Sequence, residues 1–220
     1  GTSCMSQHYP IHLNLSGRLC VVVGGGGVGE RRAVGLLSAE AVVRVVTQEA
    51  SEILQRLANE NRLELRLKPY EPTDLESAFL VVAATDSREV NAQVTQDATA
   101  RSVLVNVADA PAEGDFIVPA VVRRGDLEIS VTTGGSLPAL TQQITNELEQ
   151  RFGAEYGQYV ELMGEIRDYM KQNIPLRERS ALARKVLAQE SKVVALLQVG
   201  NYPEARETAF HLLLAPREEP

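Results

Sequence analysis

Tryptophan is absent from this chain of 220 residues, and aromatic side chains make up only 5% of it. A surface that binds single-stranded nucleic acid by stacking bases has little to build on here. Positive charge is also short: 22 Lys and Arg stand against 29 Asp and Glu, a formal net charge of -7. That balance leaves no basic footprint for DNA or RNA, and a polyanionic ligand would need local basic residues within an acidic whole. Cysteine occurs only at Cys4 and Cys20, which excludes a disulfide framework and suits a reducing cytoplasm. The histidines, His8, His12 and His211, are scattered, so no metal site is readable. His211, among Leu212, Leu213 and Leu214, reads as a packed helix residue. No apolar run approaches a membrane span, and no signal-peptide pattern follows Met5. Gly1-Thr2-Ser3-Cys4 ahead of that methionine reads as an expression scar. A cytoplasmic globular protein is expected, without nucleic acid or membrane partners.

Glycine, by contrast, is concentrated at one place. Gly24-Gly25-Gly26-Gly27-Val28-Gly29 directly follows the apolar run Leu19-Cys20-Val21-Val22-Val23 and precedes a helical pattern. Strand, tight turn and helix in that order suit a dinucleotide pyrophosphate. Gly24 makes the turn, Gly26 lets backbone approach the phosphates, and Gly29 lets helix and strand pack closely, while free N–H groups at the helix start face the anion.

The rest of the amino half continues the alternation. Helices are expected over Val28–Ala39 and Ser51–Asn61, the latter with Ile53, Leu54 and Leu57 apolar. Strands are expected over Val42–Val46, Leu63–Leu67, Phe79–Ala84 and Val103–Val107. Asp86-Ser87-Arg88-Glu89 resembles a capping box opening a helix to about Arg101. Strand–helix alternation of this kind implies an α/β fold, a Rossmann-like doubly wound parallel sheet. The pattern changes after Ala108. Phe116–Val122 and Leu127–Thr132 are two strands joined across Arg123-Arg124-Gly125-Asp126 with no helix between, a hairpin-like or crossover element. A second glycine turn, Thr132-Thr133-Gly134-Gly135-Ser136, precedes a helix with Leu137, Leu140, Ile144 and Leu148 on one face. From about residue 149 the chain is helical: a stripe of Tyr159, Leu162, Met163, Ile166, Tyr169 and Met170, a break at Pro175, a helix over Leu182–Leu197, and a last helix opening near Pro203. The tail Pro216–Pro220 is expected to fray.

Several residues carry chemistry. An acid about twenty residues after the glycines would bind the ribose hydroxyls. Thr47 stands there instead, followed by Gln48 and Glu49. These two either reach the adenosine ribose, or Glu49 merely sits in the first turn of the next helix. No arginine immediately follows the strand, which favours NAD over NADP. Asp109, at the end of a strand beside the nucleotide site, is either a proton acceptor or an Asx-turn residue ahead of Pro111. Arg31, Arg32, Arg123 and Arg124 either meet anions or are solvated. Ser136 either joins a carboxylate-binding turn or is a plain N-cap.

A set of segments agrees with a known family: Tyr9 to Arg18 ahead of the glycine turn, Glu30-Arg31-Arg32, Ala83-Ala84-Thr85-Asp86, Asn106 to Pro111, Phe116 to Ala120, and Thr132 to Ala139. In this order and spacing they resemble the precorrin-2 dehydrogenases of siroheme synthesis, stand-alone or as the matching portion of siroheme synthases, from about Tyr9 to Arg151. The resemblance implies NAD-dependent oxidation of precorrin-2 to sirohydrochlorin, by a homodimer. It implies that Gly24, Gly25, Gly26, Gly27 and Val28 hold the pyrophosphate, Gln48 and Glu49 the ribose, and Thr85 and Asp86 the nicotinamide half. It assigns Asp109 as the key aspartate and Thr133, Gly134, Gly135 and Ser136 to the substrate. Gly29 stands where the family often has Ala, a change read as harmless, and Thr133 where some relatives carry a phosphorylatable serine. The expected division is an NAD-binding domain over 1–112, a small mixed dimerisation and substrate segment over 113–148, and a helical domain over 149–220. The alternatives are an enzyme that also inserts ferrous iron into the product, and a non-catalytic NAD-sensing module.

Overall fold

The computed structural model describes residues 8–135 and 137–214; Cys4, Ser136 and the tail Pro216–Pro220 lie outside them. The chain forms two compact units, the first ending at Val118 and the second beginning at Pro119.

The first unit is a parallel sheet with helices on both faces. Its elements are β1 (Leu19–Val23), α1 (Gly27–Ser38), β2 (Val42–Thr47), α2 (Glu52–Asn59), β3 (Glu64–Leu67), β4 (Leu80–Ala83), α3 (Arg88–Ala100) and β5 (Leu104–Val107). Strand order is β3-β2-β1-β4-β5, and every pairing is parallel, as in Cys20↔Val43 and Cys20↔Leu80. The central strands are valine-rich because both faces are covered. One side of the sheet buries Cys20, Val22, Val43 and Val82 with Ala33 and Leu54; the other buries Val21, Val81 and Val105 with Leu75, Val94 and Ala98. Burial raises the Cys20 thiol to about 11, although Arg18 nearby opposes this, so the sulfur behaves as a small hydrophobe.

β3 forms one edge. Leu63, just before it, is buried, but Leu67 at its end is 62% exposed. Charge occupies this edge instead. Asp74, fully buried, accepts from Arg66 Nη1 at 2.8 Å, Lys68 Nζ at 2.8 Å and the Glu71 N–H at 2.9 Å. Such a charged edge resists pairing with another chain.

The second unit begins with a hairpin, β6 (Ala120–Arg124) and β7 (Leu127–Val131), turning at Gly125 with φ +56. Helices α4 (Pro138–Arg151), α5 (Glu155–Asn173), α6 (Leu176–Leu187), α7 (Glu190–Gln198) and α8 (Tyr202–Leu214) follow. The α5 stripe of Tyr159, Leu162, Ile166 and Met170 is buried against Val193, Leu197, Ala209 and Phe210.

Several local expectations change. Phe116–Pro119 lies outside the hairpin. The box over Asp86–Glu89 is replaced by a simple cap, in which the Ser87 hydroxyl accepts from the Val90 N–H at 3.3 Å. Leu182–Leu197 is two helices, and the break lets Val186 on α6 and Val193 on α7 enter one core. On α4 it is Thr145 that is buried, while Leu137 and Leu140 are exposed. Ile53 is exposed. His211 is exposed rather than packed, because α8 turns Ala205, Ala209, Phe210 and Leu213 inward. Among the described residues no helix is long and apolar enough to cross a membrane.

Candidate functional site

The sheet changes direction between β1 and β4. From β1 the chain winds outward through β2 and β3; β4 then returns to the other side. The carboxyl ends of strands at such a switch point form a crevice. Four of the sequence-derived positions lie at this edge: the glycine turn after β1, Gln48 and Glu49 after β2, Thr85 and Asp86 after β4, and Asp109 after β5.

The glycines divide into two kinds. Gly24, Gly25 and Gly29 are buried and crowded. A Cβ on Gly24, where φ is +121, would lie 2.3 Å from the Ala84 carbonyl oxygen; one on Gly25 would lie 2.2 Å from that of Glu49. One on Gly29 would lie 2.1 Å from the Gly24 carbonyl oxygen. This backbone therefore leaves no room for a Cβ at position 29 without a shift of the Gly24 carbonyl. Gly26 and Gly27 are exposed, and a Cβ on either meets nothing within 4 Å.

Gly26 is the N-cap of α1, and no side chain caps that helix. The first backbone bond into it runs from the Glu30 N–H to the Gly26 carbonyl at 2.9 Å, which leaves the N–H groups of Gly27, Val28 and Gly29 without a backbone acceptor among the described residues. An open backbone surface with uncapped donors at the positive end of a helix fits a pyrophosphate by size and by charge.

Thr47 closes its own turn by donating from Oγ1 to the Glu49 carbonyl at 2.7 Å. That turn leans on Gly25, and the Ser51 N–H donates to the Gly25 carbonyl at 3.3 Å. Ser51 caps α2, whose first-turn acid is Glu52. Glu49 thus precedes the helix rather than sitting in its first turn, and both Gln48 and Glu49 are exposed beside the glycines.

At the β4 and β5 ends a polar cluster forms around Asn91, which is 1% exposed. Asn91 Oδ1 accepts from the Thr85 N–H at 3.1 Å and lies 2.7 Å from the Thr85 hydroxyl. Its Nδ2 donates to the Thr85 carbonyl at 3.0 Å and to Asp109 Oδ1 at 3.2 Å. Asp109, with 44% of its side chain exposed, also faces Arg88 at 3.6 Å, and Arg88 pairs with Glu113 at 2.7 Å. These contacts hold the Arg88 guanidinium above its usual range, chiefly through the Glu113 bond. Asp115 is engaged elsewhere, accepting from the Val105 N–H at 2.9 Å. Asn91 and Arg88 join the site without being expected from the sequence. One signal was available for Asn91: it shares the inward stripe of α3 with Val94 and Ala98, where an amide needs partners.

In the second unit, Gly134 and Gly135 both have positive φ, and Thr133 Oγ1 lies 2.8 Å from Thr141 Oγ1. Leu137 is the N-cap of α4, followed by Pro138. The hairpin arginines are not simply solvated. Arg123 pairs with Glu128, and Arg124 Nε donates to the Phe152 carbonyl at 2.9 Å. In the first unit Arg32 is likewise half-buried, and burial, with Arg31 nearby, lowers its guanidinium pKa. No group of His, Cys, Asp and Glu able to hold a metal ion occurs among the described residues.

Residues 11–120 match the family NAD_binding_7, described as "Putative NAD(P)-binding". The chain is 38% identical over 200 residues to the siroheme synthase of Nitrosococcus oceani, covering 90% of this chain and 42% of that protein. It is 39% identical over 210 residues to the siroheme synthase of Methylobacillus flagellatus, covering 96% and 44%. The chain therefore spans less than half the length of these curated relatives. Among solved structures it is similar to SirC, a precorrin-2 dehydrogenase, with a TM-score of 0.73 and 26% identity over 91% of this chain and 100% of that one.

Proposed function

Because the chain belongs to the NAD(P)-binding family NAD_binding_7, we propose that it is an NAD-dependent dehydrogenase that oxidises precorrin-2 to sirohydrochlorin. The observation that carries this reading is that an uncapped glycine turn and the Asp109 carboxylate belong to one edge of one parallel sheet. Similarity to SirC and to siroheme synthases over most of the chain supports the substrate.

The N–H groups of Gly27 and Val28 hold the pyrophosphate against the open backbone of Gly26, with Gly24 and Gly25 shaping the turn. Gln48 and Glu49 bind the adenosine ribose; the carboxylate suits a free 2′-hydroxyl and repels a 2′-phosphate, which favours NAD over NADP. Thr85 and Asp86 line the nicotinamide half. NAD, when bound, supplies a hydride acceptor. Conversion of precorrin-2 to sirohydrochlorin releases a hydride and a proton, and Asp109 takes the proton or fixes the ring that loses it. Thr133, Gly134, Gly135 and Ser136 bind a carboxylate of the macrocycle. The segment 113–148 pairs two copies of the chain into a homodimer. A buried free thiol and the lack of a disulfide framework support a cytoplasmic setting.

An anaerobic assay with precorrin-2 and NAD tests the reading. NADH and sirohydrochlorin should form together. Calorimetric binding of NAD without turnover would overturn it in favour of a sensing module. Ferrous ion added after the oxidation reports whether iron insertion also occurs.

A further inference from the structure

We infer that Asn91 is a positioning residue that holds the Asp109 carboxylate in its working orientation; the inference rests on the reading of Asp109 given above. A primary amide buried to 1% exposure is costly unless every donor and acceptor is met. Here all are. The carbonyl oxygen takes the Thr85 N–H and faces the Thr85 hydroxyl, and the nitrogen donates to the Thr85 carbonyl. These bonds leave the amide one orientation, because a flip would set its NH2 against the Thr85 N–H and its oxygen against the Thr85 carbonyl. The second hydrogen on Nδ2 is then aimed, without rotational freedom, at Asp109 Oδ1, 3.2 Å away.

The two oxygens of Asp109 therefore differ. Oδ1 is tied to a buried, rigid donor. Oδ2 faces Arg88, at 3.6 Å, and that guanidinium is 59% exposed and already bonded to Glu113. Asp109 itself lies beyond the end of β5, and Asn91 is the buried partner that restrains its side chain, leaving Oδ2 as the oxygen that meets the substrate. Three contacts to Thr85 anchor the amide to the turn after β4, so Asn91 couples the loop assigned to the nicotinamide half with the group assigned to the proton. Proton transfer requires this kind of alignment, and a misplacement of about 1 Å can cost on the order of 10²-fold in rate.

The competing account is that Asn91 only staples the turn after β4. A double-mutant cycle on kcat, at saturating NAD and precorrin-2, separates the two. Asn91→Ser should lower kcat about 10-fold or more, the lower part of that range, with KM for precorrin-2 little changed. In the Asp109→Asn background the same substitution should have no further effect on kcat. Effects that multiply across the cycle would overturn the positioning role while leaving Asp109 in place. An Asp109→Asn single variant with wild-type kcat would instead overturn the reading on which the inference rests. Should Asn91→Ser fail to fold, Asn91→Thr carries the same cycle, since it too removes the amide donor to Asp109, fills more of the buried site and adds no charge.

Discussion

Gly26→Asp should stabilise the free protein and abolish its binding of NAD. Gly26 is the N-cap of α1, with φ −77 and ψ −174, extended backbone that aspartate adopts freely, and a side chain there points into open space. Aspartate is among the best N-caps and improves on glycine by a few tenths of a kcal/mol. Its charge beside the first turn adds about 0.3–1 kcal/mol through the helix dipole. The sum, about 0.5–1.4 kcal/mol, corresponds to a Tm increase of about 1–6 °C for a protein of this size. The same carboxylate occupies the place assigned to the pyrophosphate. Unit charges about 4 Å apart repel by about 4 kcal/mol at an effective dielectric near 20, a loss of about 10³-fold in affinity. Differential scanning calorimetry and calorimetric titration with NAD read the two effects on one sample. Unchanged NAD affinity would refute the assignment of the turn, and a large fall in Tm would refute the claim that Gly26 is open.

Gly29→Ala should behave in the opposite way, destabilising the fold by about 1–3 kcal/mol, the usual cost of overpacking, because its Cβ would sit 2.1 Å from the Gly24 carbonyl oxygen; urea titration would show the shift. Asp109→Asn should leave NAD affinity intact while kcat falls about 10²-fold or more, the scale of losing a general acid or base, and wild-type turnover would end that assignment. Burial pushes the Asp74 carboxyl up, but bonds from Lys68, Arg66 and the Glu71 N–H overcome it and hold the group below its usual range; Glu64 is lowered in the same way by Arg44 and Arg66. Folded pKa values below the unfolded ones mean a contribution complete above about pH 5 and lost as pH falls through the folded values, so acid titration of Asp74→Asn should show a shallower loss of stability than the parent. Light scattering should give a homodimer at micromolar concentrations, and a mass near 24.0 kDa would contradict the proposed pairing.

Much of the first unit was legible in the sequence, for local reasons. Valine runs bounded by turns marked the strands, and their continuous apolar character required cover on both faces, hence a parallel sheet. A tight glycine turn between strand and helix is set by backbone conformation, as the φ of +121 at Gly24 illustrates. Helix ends were less legible: the choice between Asp86 and Ser87 as cap turns on one hydrogen bond that either residue type can make. What only the tertiary structure decided involves residues far apart in the chain. Asp109 meets Asn91, eighteen positions earlier, because β4 and β5 are neighbours and α3 packs across them. Glu49 lies beside Gly25 because β1 and β2 pair in register, and the exclusion of a side chain at Gly29 depends on how closely α1 packs against the turn. Composition and periodicity specify which surfaces must be buried; which side chains then meet depends on the order of strands in the sheet, and no local pattern encodes that order.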